Sequence, residues 1–333
     1  MRALLVGYGS IGRRHLANLH RLGVEDWAVV HTGQGTLPLD PPCPVRVHAE
    51  LTGALARERP DVAIVANPTG GHVAAAAACA RAGADLLVEK PLAASLEGLE
   101  ALAEVVAERG VRVLMGFQLR FHPALHRIRG LVAEGAVGVP LHAEVVWGEH
   151  LASWHPWEDW RRSYAARADL GGGVHHTMSH PLDYLRFLFG EVASVRGAFN
   201  ARPHLGLEVP ESVDVGVAFE GEVDAHLHLD YWSQPPRHRL ELAGSEGSIS
   251  WDLLAGELGV SDGAARAWRR EAVPGDGERN ELFVAEARHL LEVVAGRAEP
   301  VATLEDGIEG VRLALAIERS AADGARAVPA PPP

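Results

Sequence analysis

Cysteine is scarce in this chain. Cys43 and Cys79 are the only two, and no CxxC pair occurs. No disulfide framework can be built from them, and a reduced setting is expected. Long apolar runs are missing too. No stretch approaches the ~18 uninterrupted apolar residues of a membrane helix, and the opening MRALLVGYGS has too short an apolar run for a signal peptide. The expected location is the cytoplasm, with no membrane partner. Positive charge is in deficit: 31 Lys and Arg stand against 44 Asp and Glu, a formal net charge of -13. That balance excludes a general nucleic-acid or anionic-membrane partner, which needs a basic surface. It leaves open the local binding of a phosphate by a few backbone amides and one arginine.

What is present suits two ordinary soluble domains. The chain has 333 residues, 47% hydrophobic and 23% charged, enough for two separate cores. Its first 120 residues alternate short apolar runs with helical stretches. Strands are predicted at 3–6, 27–30, 62–65, 86–88 and 111–114, and helices at 11–22, 72–82 and 95–109. Strands spaced by helices predict parallel βαβ units in a doubly wound sheet. The proline-rich segment 36–44 reads as a loop. Beyond residue 120 come a helix at 123–134, a strand at 141–146 and a loop carrying Trp154, Trp157 and Trp160. Strand-like runs then follow at 192–199, 213–219, 223–229, 239–243 and 248–251 with no helices between them. This predicts an antiparallel or mixed sheet in an α+β second domain. Helices at 281–295 and 304–322 close the chain before a PAPPP tail. The expected division is a dinucleotide-binding domain at 1–120, a substrate-binding and oligomerisation domain at 121–325, and a disordered tail at 326–333.

Gly7-Tyr8-Gly9-Ser10-Ile11-Gly12 fits GxGxxG. The bare pattern occurs in many turns, but here an apolar strand precedes it and a helical stretch follows. Gly7 makes the tight turn, Gly9 admits a pyrophosphate, and Gly12 allows close helix–strand packing with the phosphate at the helix N-terminus. A dinucleotide site follows. After the second strand stand His31-Thr32-Gly33-Gln34, where a carboxylate for the ribose 2′-hydroxyl would favour NAD. Arg13 and Arg14 are within reach of a 2′-phosphate. NAD and NADP both remain open, with the balance tipped slightly to NADP.

Glu89-Lys90-Pro91 directly follows the strand at 86–88, at the carboxyl edge of the parallel sheet where such folds place ligands. A lysine there polarises or protonates a substrate oxygen, or else it is a surface lysine beside a turn. Asn67-Pro68-Thr69 occupies the equivalent edge after 62–65. In the second half, GGGVHHTMSHPLDY (171–184) sets His175, His176 and His180 within six positions. Such spacing serves a metal, a proton relay or a polar core.

Gly7 to His15 (GYGSIGRRH), Asn67-Pro68 with His72, and Val88 to Leu92 (VEKPL) together resemble the Gfo/Idh/MocA oxidoreductase family, which includes glucose-fructose oxidoreductase and inositol 2-dehydrogenase. The likeness continues through 116–123 (GFQLRFHP), 169–184, 244–247 (GSEG), Ser320 and Gly324, nearly the whole chain. The resemblance implies a Rossmann domain followed by a domain built on a large open mixed, mostly antiparallel sheet. It implies NAD(P) held by Gly7, Gly9, Ser10, Ile11, Gly12, His31, Thr32, Asn67, Pro68, His72, Glu89 and Lys90. It further implies a cis Lys90–Pro91 bond and a nicotinamide near Lys90. His180 matches the family's active-site histidine, and an imidazole with a pKa near ~6.5 suits proton transfer at neutral pH. The implied reaction oxidises a secondary hydroxyl of a sugar, a cyclitol or a sugar derivative: the histidine takes the proton and the lysine steadies the oxygen.

One departure stands out. Many relatives carry an aspartate three or four residues before the histidine, where this chain has Thr177 and His176. His176 lies one helical turn before His180 and, if both share a helix, on the same face. It becomes a substitute relay alongside Lys90 and His180. Arg120, Tyr164, Arg167, Thr177 and Asp183 are candidates to line the substrate pocket, with salt bridges or hydrogen bonds of the scaffold as their other reading. A His176–His180 metal pair lacks the glutamate of HExxH and a clear third ligand, so no metal is expected. The competing reading is a non-catalytic NAD(P)-binding sensor on the same fold. An open sheet with an apolar face would favour a homodimer or homotetramer.

Overall fold

A computed structural model describes residues 1–33, 38–154, 156, 159–221, 223–263, 267–275, 277 and 279–330. Trp157 and Gln34 lie outside these. The described chain divides into two compact units.

The first unit comprises described residues within 1–118 and 280–311. Its strands are β1 (Arg2–Val6), β2 (Asp26–Val30), β3 (Val45–His48), β4 (Val62–Val65), β5 (Asp85–Val88) and β6 (Val113–Met115). Between them run helices α1 (Ser10–Arg21), α2 (Leu51–Glu58), α3 (His72–Arg81) and α4 (Leu99–Arg109). All neighbouring strands pair parallel, in the order β3-β2-β1-β4-β5-β6. That is the doubly wound arrangement, and its order reverses between β1 and β4, where such sheets open a ligand crevice beyond their carboxyl ends. The strands other than β3 form because their residues are mostly apolar and buried on both faces: Leu4, Leu5, Ala28, Val29, Ile64 and Leu87 are fully enclosed. β3 and α2, absent from the sequence reading, complete one edge.

The second unit comprises described residues within 119–279 and 312–330. It holds α5 (Pro123–Ala133), β7 (Pro140–Gly148), α6 (Val174–Thr177), α7 (His180–Phe189) and β8 (Val192–Phe199). Six further strands follow: β9 (Ser212–Phe219), β10 (Asp224–Asp230), β11 (Arg237–Gly244), β12 (Gly247–Asp252), β13 (Glu257–Asp262) and β14 (Ala267–Ala272). Their order is β14-β13-β12-β11-β7-β10-β9-β8, with β7 and β10 parallel and every other pair antiparallel. Alternation is clear along β11, where His238, Leu240 and Leu242 are buried while Arg239 and Glu241 are exposed. The outward face carries His142, Glu144, Asp214, His226, His228, Arg239 and Glu241. These seven described side chains are polar.

Two differences from the expected division arise from chain return. After the second sheet, α8 (Arg279–Val294) runs in the first unit from Asn280 onwards, where Arg112 Nη1 donates to the Val293 carbonyl at 2.9 Å. In α9 (Leu304–Asp323), residues to Val311 group with the first unit and those from Arg312 with the second. The tail expected to be disordered is ordered at Ala327, which exchanges two backbone hydrogen bonds of 2.8 Å with Val195 on β8. No described helix is long and apolar enough to cross a membrane.

Candidate functional site

β1 delivers Gly7 at the carboxyl edge of the first sheet. Gly7 has φ +95°, and a Cβ there would lie 2.6 Å from the Asn67 backbone nitrogen, so only glycine permits this approach. A Cβ at Gly12 would collide with the Gly7 carbonyl oxygen, whereas one at Gly9 would meet nothing within 4 Å. The turn is therefore closed behind and open in front. α1 begins there with no side-chain cap and no acidic residue in its first turn, leaving its first amides and the positive end of its dipole for an anion. Nearby, Asn67 Oδ1 is buried without a hydrogen-bond partner among the described residues. An open glycine face, uncapped amides and an orphaned acceptor all suit a dinucleotide.

At the rim beyond β2, His31 is half-buried and Thr32 exposed. Arg13 bonds the Pro38 carbonyl and lies over the Tyr8 ring at 4.8 Å. Arg14 turns elsewhere, over Phe283 of α8 at 4.7 Å.

After β4 and β5, two turns carry Asn67-Pro68 and Glu89-Lys90-Pro91. His72, expected at the cofactor, is almost fully buried and ties these turns together. Its Nε2 lies 2.6 Å from the Asn67 carbonyl and its Nδ1 2.9 Å from the Pro91 carbonyl. Burial lowers its pKa, against the pull of these two carbonyls. Lys90 is half-buried, and the Lys90–Pro91 bond is cis. It is also the only lysine in the sequence; the other 30 of the 31 basic side chains are arginines.

Glu89, expected at the cofactor, is instead part of a buried cluster whose other members, His15 and Glu286, the sequence reading missed. Glu89, 5% exposed, accepts from His15 Nε2 at 2.6 Å and from the Lys90 amide at 3.2 Å. Burial alone would raise its pKa; the His15 hydrogen bond and the charges at His15, Lys90 and His72 bring it below the ordinary carboxyl range. α8 packs Phe283 edge-on to His15, with ring centres 5.9 Å apart. One turn further along, Glu286 is fully buried, and neither of its carboxyl oxygens has a partner among the described residues. Burial, and then the charge of Glu89, push its pKa well above the ordinary value, which favours the protonated form. The signal was in the sequence: Glu286 interrupts the apolar stripe of Phe283, Ala287 and Leu290.

In the second unit Arg120 and Asp183, expected to face a substrate, face each other. Arg120 Nε lies 3.1 Å from each Asp183 oxygen and Nη2 2.7 Å from Oδ1, with both side chains buried. Thr177 is also enclosed, donating to the Gly173 carbonyl at 3.0 Å and meeting the Tyr231 hydroxyl. Tyr164 is half-buried, and Arg167 is exposed in an ion pair with Asp169. His180 opens α7 in an aromatic setting that sequence reading did not foresee. Trp147 lies 6.0 Å from it and stacks on His238 at 4.8 Å and 10°. Trp154 meets Tyr231 edge-on at 5.7 Å, anchoring the tryptophan loop to the core.

His176 and His180 do not share one helix. α6 ends at Thr177, Met178 breaks the spiral with φ -96° and ψ 44°, and α7 restarts with Pro181 in its first turn. His175 and His176 receive an acidic partner from α9. Glu318 Oε1 lies 2.7 Å from His175 Nε2 and 3.1 Å from His176 Nε2. These hydrogen bonds hold its carboxyl at about 2, while burial lowers His175 to about 4.

Two outcomes follow. Arg120→Met takes the guanidinium away from the buried Asp183 carboxylate, and should lower unfolding free energy by about 3–5 kcal/mol in urea titrations; a loss below ~1 kcal/mol would show that the pair is solvated. Glu286 has a raised folded pKa, so its contribution is present below the ordinary carboxyl pKa and is lost as pH climbs towards the folded value. Over that window the wild type should shed about 1.4 kcal/mol per pH unit relative to Glu286→Gln. Parallel stability–pH curves for the two proteins would contradict the raised Glu286 pKa.

The profile described as oxidoreductase family, NAD-binding Rossmann fold, matches residues 1–117, and the GFO/IDH/MocA C-terminal domain matches residues 125–250. The 1,5-anhydro-D-fructose reductase of Ensifer adhaerens is 29% identical over 250 residues, covering 74% of this chain and 73% of that protein. The scyllo-inositol 2-dehydrogenase (NAD(+)) of Bacillus subtilis (strain 168) is 28% identical over 274 residues, covering 79% and 76%. A solved levoglucosan dehydrogenase, in complex with NADH and levoglucosan, superposes with a TM-score of 0.84 over 99% of both chains at 20% identity, a likeness of fold. With its glycine turn, its sheet order and both profiles in agreement, the chain belongs to the GFO/IDH/MocA family of oxidoreductases with an NAD-binding Rossmann fold.

Proposed function

We propose that this protein transfers hydride between NAD(P) and a secondary hydroxyl or ketone of a sugar, a cyclitol or a sugar derivative. The observation that carries the reading is the placement of Lys90. The single amine-bearing side chain stands at the carboxyl edge of β5, in the same unit as a glycine turn open to a pyrophosphate. The named functions of the Ensifer reductase and the Bacillus dehydrogenase support the substrate class.

Gly7, Gly9, Ser10, Ile11 and Gly12 cradle the pyrophosphate, His31 and Thr32 border the adenosine ribose, and Asn67 with Pro68 borders the nicotinamide half. Bound NAD(P) supplies the hydride acceptor or donor. The chain's own groups handle the oxygen. The Lys90 ammonium donates a hydrogen bond to it, favouring the alkoxide-like charge that develops during oxidation. His180 takes the hydroxyl proton and returns it in the reverse direction. Tyr164 and Arg167 are the remaining candidates for substrate contact, since Arg120, Asp183 and Thr177 bond within the scaffold. NADP is the favoured dinucleotide, because Arg13 reaches the loop after β2 and no carboxylate stands at His31-Thr32 to repel a 2′-phosphate.

A panel of sugars, inositols and their keto forms, followed by nicotinamide absorbance, identifies the substrate. Lys90→Ala should lower kcat on it by about 100-fold or more with cofactor affinity nearly unchanged; undiminished kcat would falsify the role of Lys90. Tight cofactor binding with no turnover on any compound favours the sensor instead. Arg13→Ala should raise the KM for NADP by about tenfold or more and leave that for NAD almost unmoved. An equal change for both dinucleotides would remove the preference for NADP.

A further inference from the structure

We propose that His175, His176 and Glu318 form a binding site for a divalent transition-metal cation of the zinc type. All three residues belong to the second unit, two on α6 and one on α9. The site stands apart from the hydride-transfer reading and does not depend on it.

The three donor atoms converge. His175 Nε2 and His176 Nε2 lie 2.7 and 3.1 Å from one carboxylate oxygen, Glu318 Oε1, and all three atoms fall within 4.8 Å of one another. The rings are held in place. His175 packs on Phe199 with centres 5.0 Å apart, and the two imidazoles are 4.1 Å apart. Both histidines are buried, at 2% and 5% exposure. Neither Nδ1 has a hydrogen-bond partner among the described residues. The Nε2 atom is thus the one polar engagement of each ring.

In the hydrogen-bonded arrangement one carboxylate oxygen receives an N–H group from each imidazole. A cation in place of the two shared protons would draw on a lone pair from each Nε2 and from Glu318 at once. Two imidazoles and a carboxylate with an open fourth position are a known donor set for zinc, and imidazole nitrogen selects Zn, Cu, Ni or Fe over Mg and Ca. Tetrahedral bonds of about 2.0–2.2 Å separate neighbouring ligand atoms by about 3.3 Å, so Glu318 must withdraw by a few tenths of an ångström. Its side chain is 41% exposed, which gives it that freedom and gives the ion a path in from solvent.

The test uses the full-length, untagged protein, freed of metal by chelation and dialysed. Titration with zinc chloride should show one equivalent bound and a rise in Tm. Cobalt(II) should give the strong visible absorption of a tetrahedral site at one equivalent. Glu318→Gln and His175→Phe should each weaken zinc binding by about 100-fold or more and abolish the cobalt spectrum. If His175→Phe fails to fold by circular dichroism, Glu318→Gln, altered at a half-exposed position, carries the test. No uptake by the wild type, or equal uptake by wild type and variants, overturns the proposal.

Discussion

One buried imidazole governs what the first sheet can present. Parallel strands are held in register by their ladders, but the turns beyond their carboxyl ends have no ladder to fix them. His72 supplies the missing tie by joining the Asn67 and Pro91 carbonyls. The two turns it joins carry Asn67-Pro68 and Lys90-Pro91, so the spacing of the Asn67 turn and the lysine follows from a single side chain. A neutral ring can donate to only one carbonyl; serving both takes a cation, which burial opposes and the nearby Glu89 charge favours. The geometry of the edge and the electrostatics beneath it are therefore one problem, extended by His15, Glu89 and the buried Glu286 below.

The second unit solves the same difficulty by pairing. Its buried charges at Arg120 and Asp230 have partners built in: Asp183 for Arg120, and Ser233, two backbone amides and His228 for the fully buried Asp230. Buried ion pairs add little net stability but are expensive to break, so such pairs fix the orientation of the helices that carry them. α7 is an example, since Asp183 lies one turn beyond His180. The imidazole is thereby aimed by a salt bridge on its own helix and by Trp147 on the sheet below.

Much of the first unit was legible in the sequence because its strands are unbroken apolar runs and its glycine turn is local. The edge strands were not. β3, VRVH, has no fully buried residue, and all six residues of β14, AWRREA, are exposed, so neither carries the burial pattern that marks a strand. The return of α8 to the first unit has no local signature at all. Site residues divide in the same way. The turn after β5 pointed to Lys90 and the family resemblance to His180, but the reading of His176 and His180 on one face presumed a continuous helix that Met178 and Pro181 interrupt. Glu318 lies 142 residues from His176, a separation no motif spans. Arg120 and Asp183 had the residue types of a sugar pocket, and only packing revealed that each neutralises the other.

The amine inventory of the chain has a chemical consequence. Arginine does not give up its proton in the accessible pH range and is a poor nucleophile, whereas a lysine amine becomes one when it deprotonates. With 30 arginines and a single lysine, the protein carries its entire side-chain capacity for imine formation or acylation at Lys90. Reductive alkylation or an activated ester would find only this position and the amino terminus. The fold thus comes with a built-in address: a fluorophore, a surface or a reversible aldehyde inhibitor directed at amines would report on the edge of β5 and on little else.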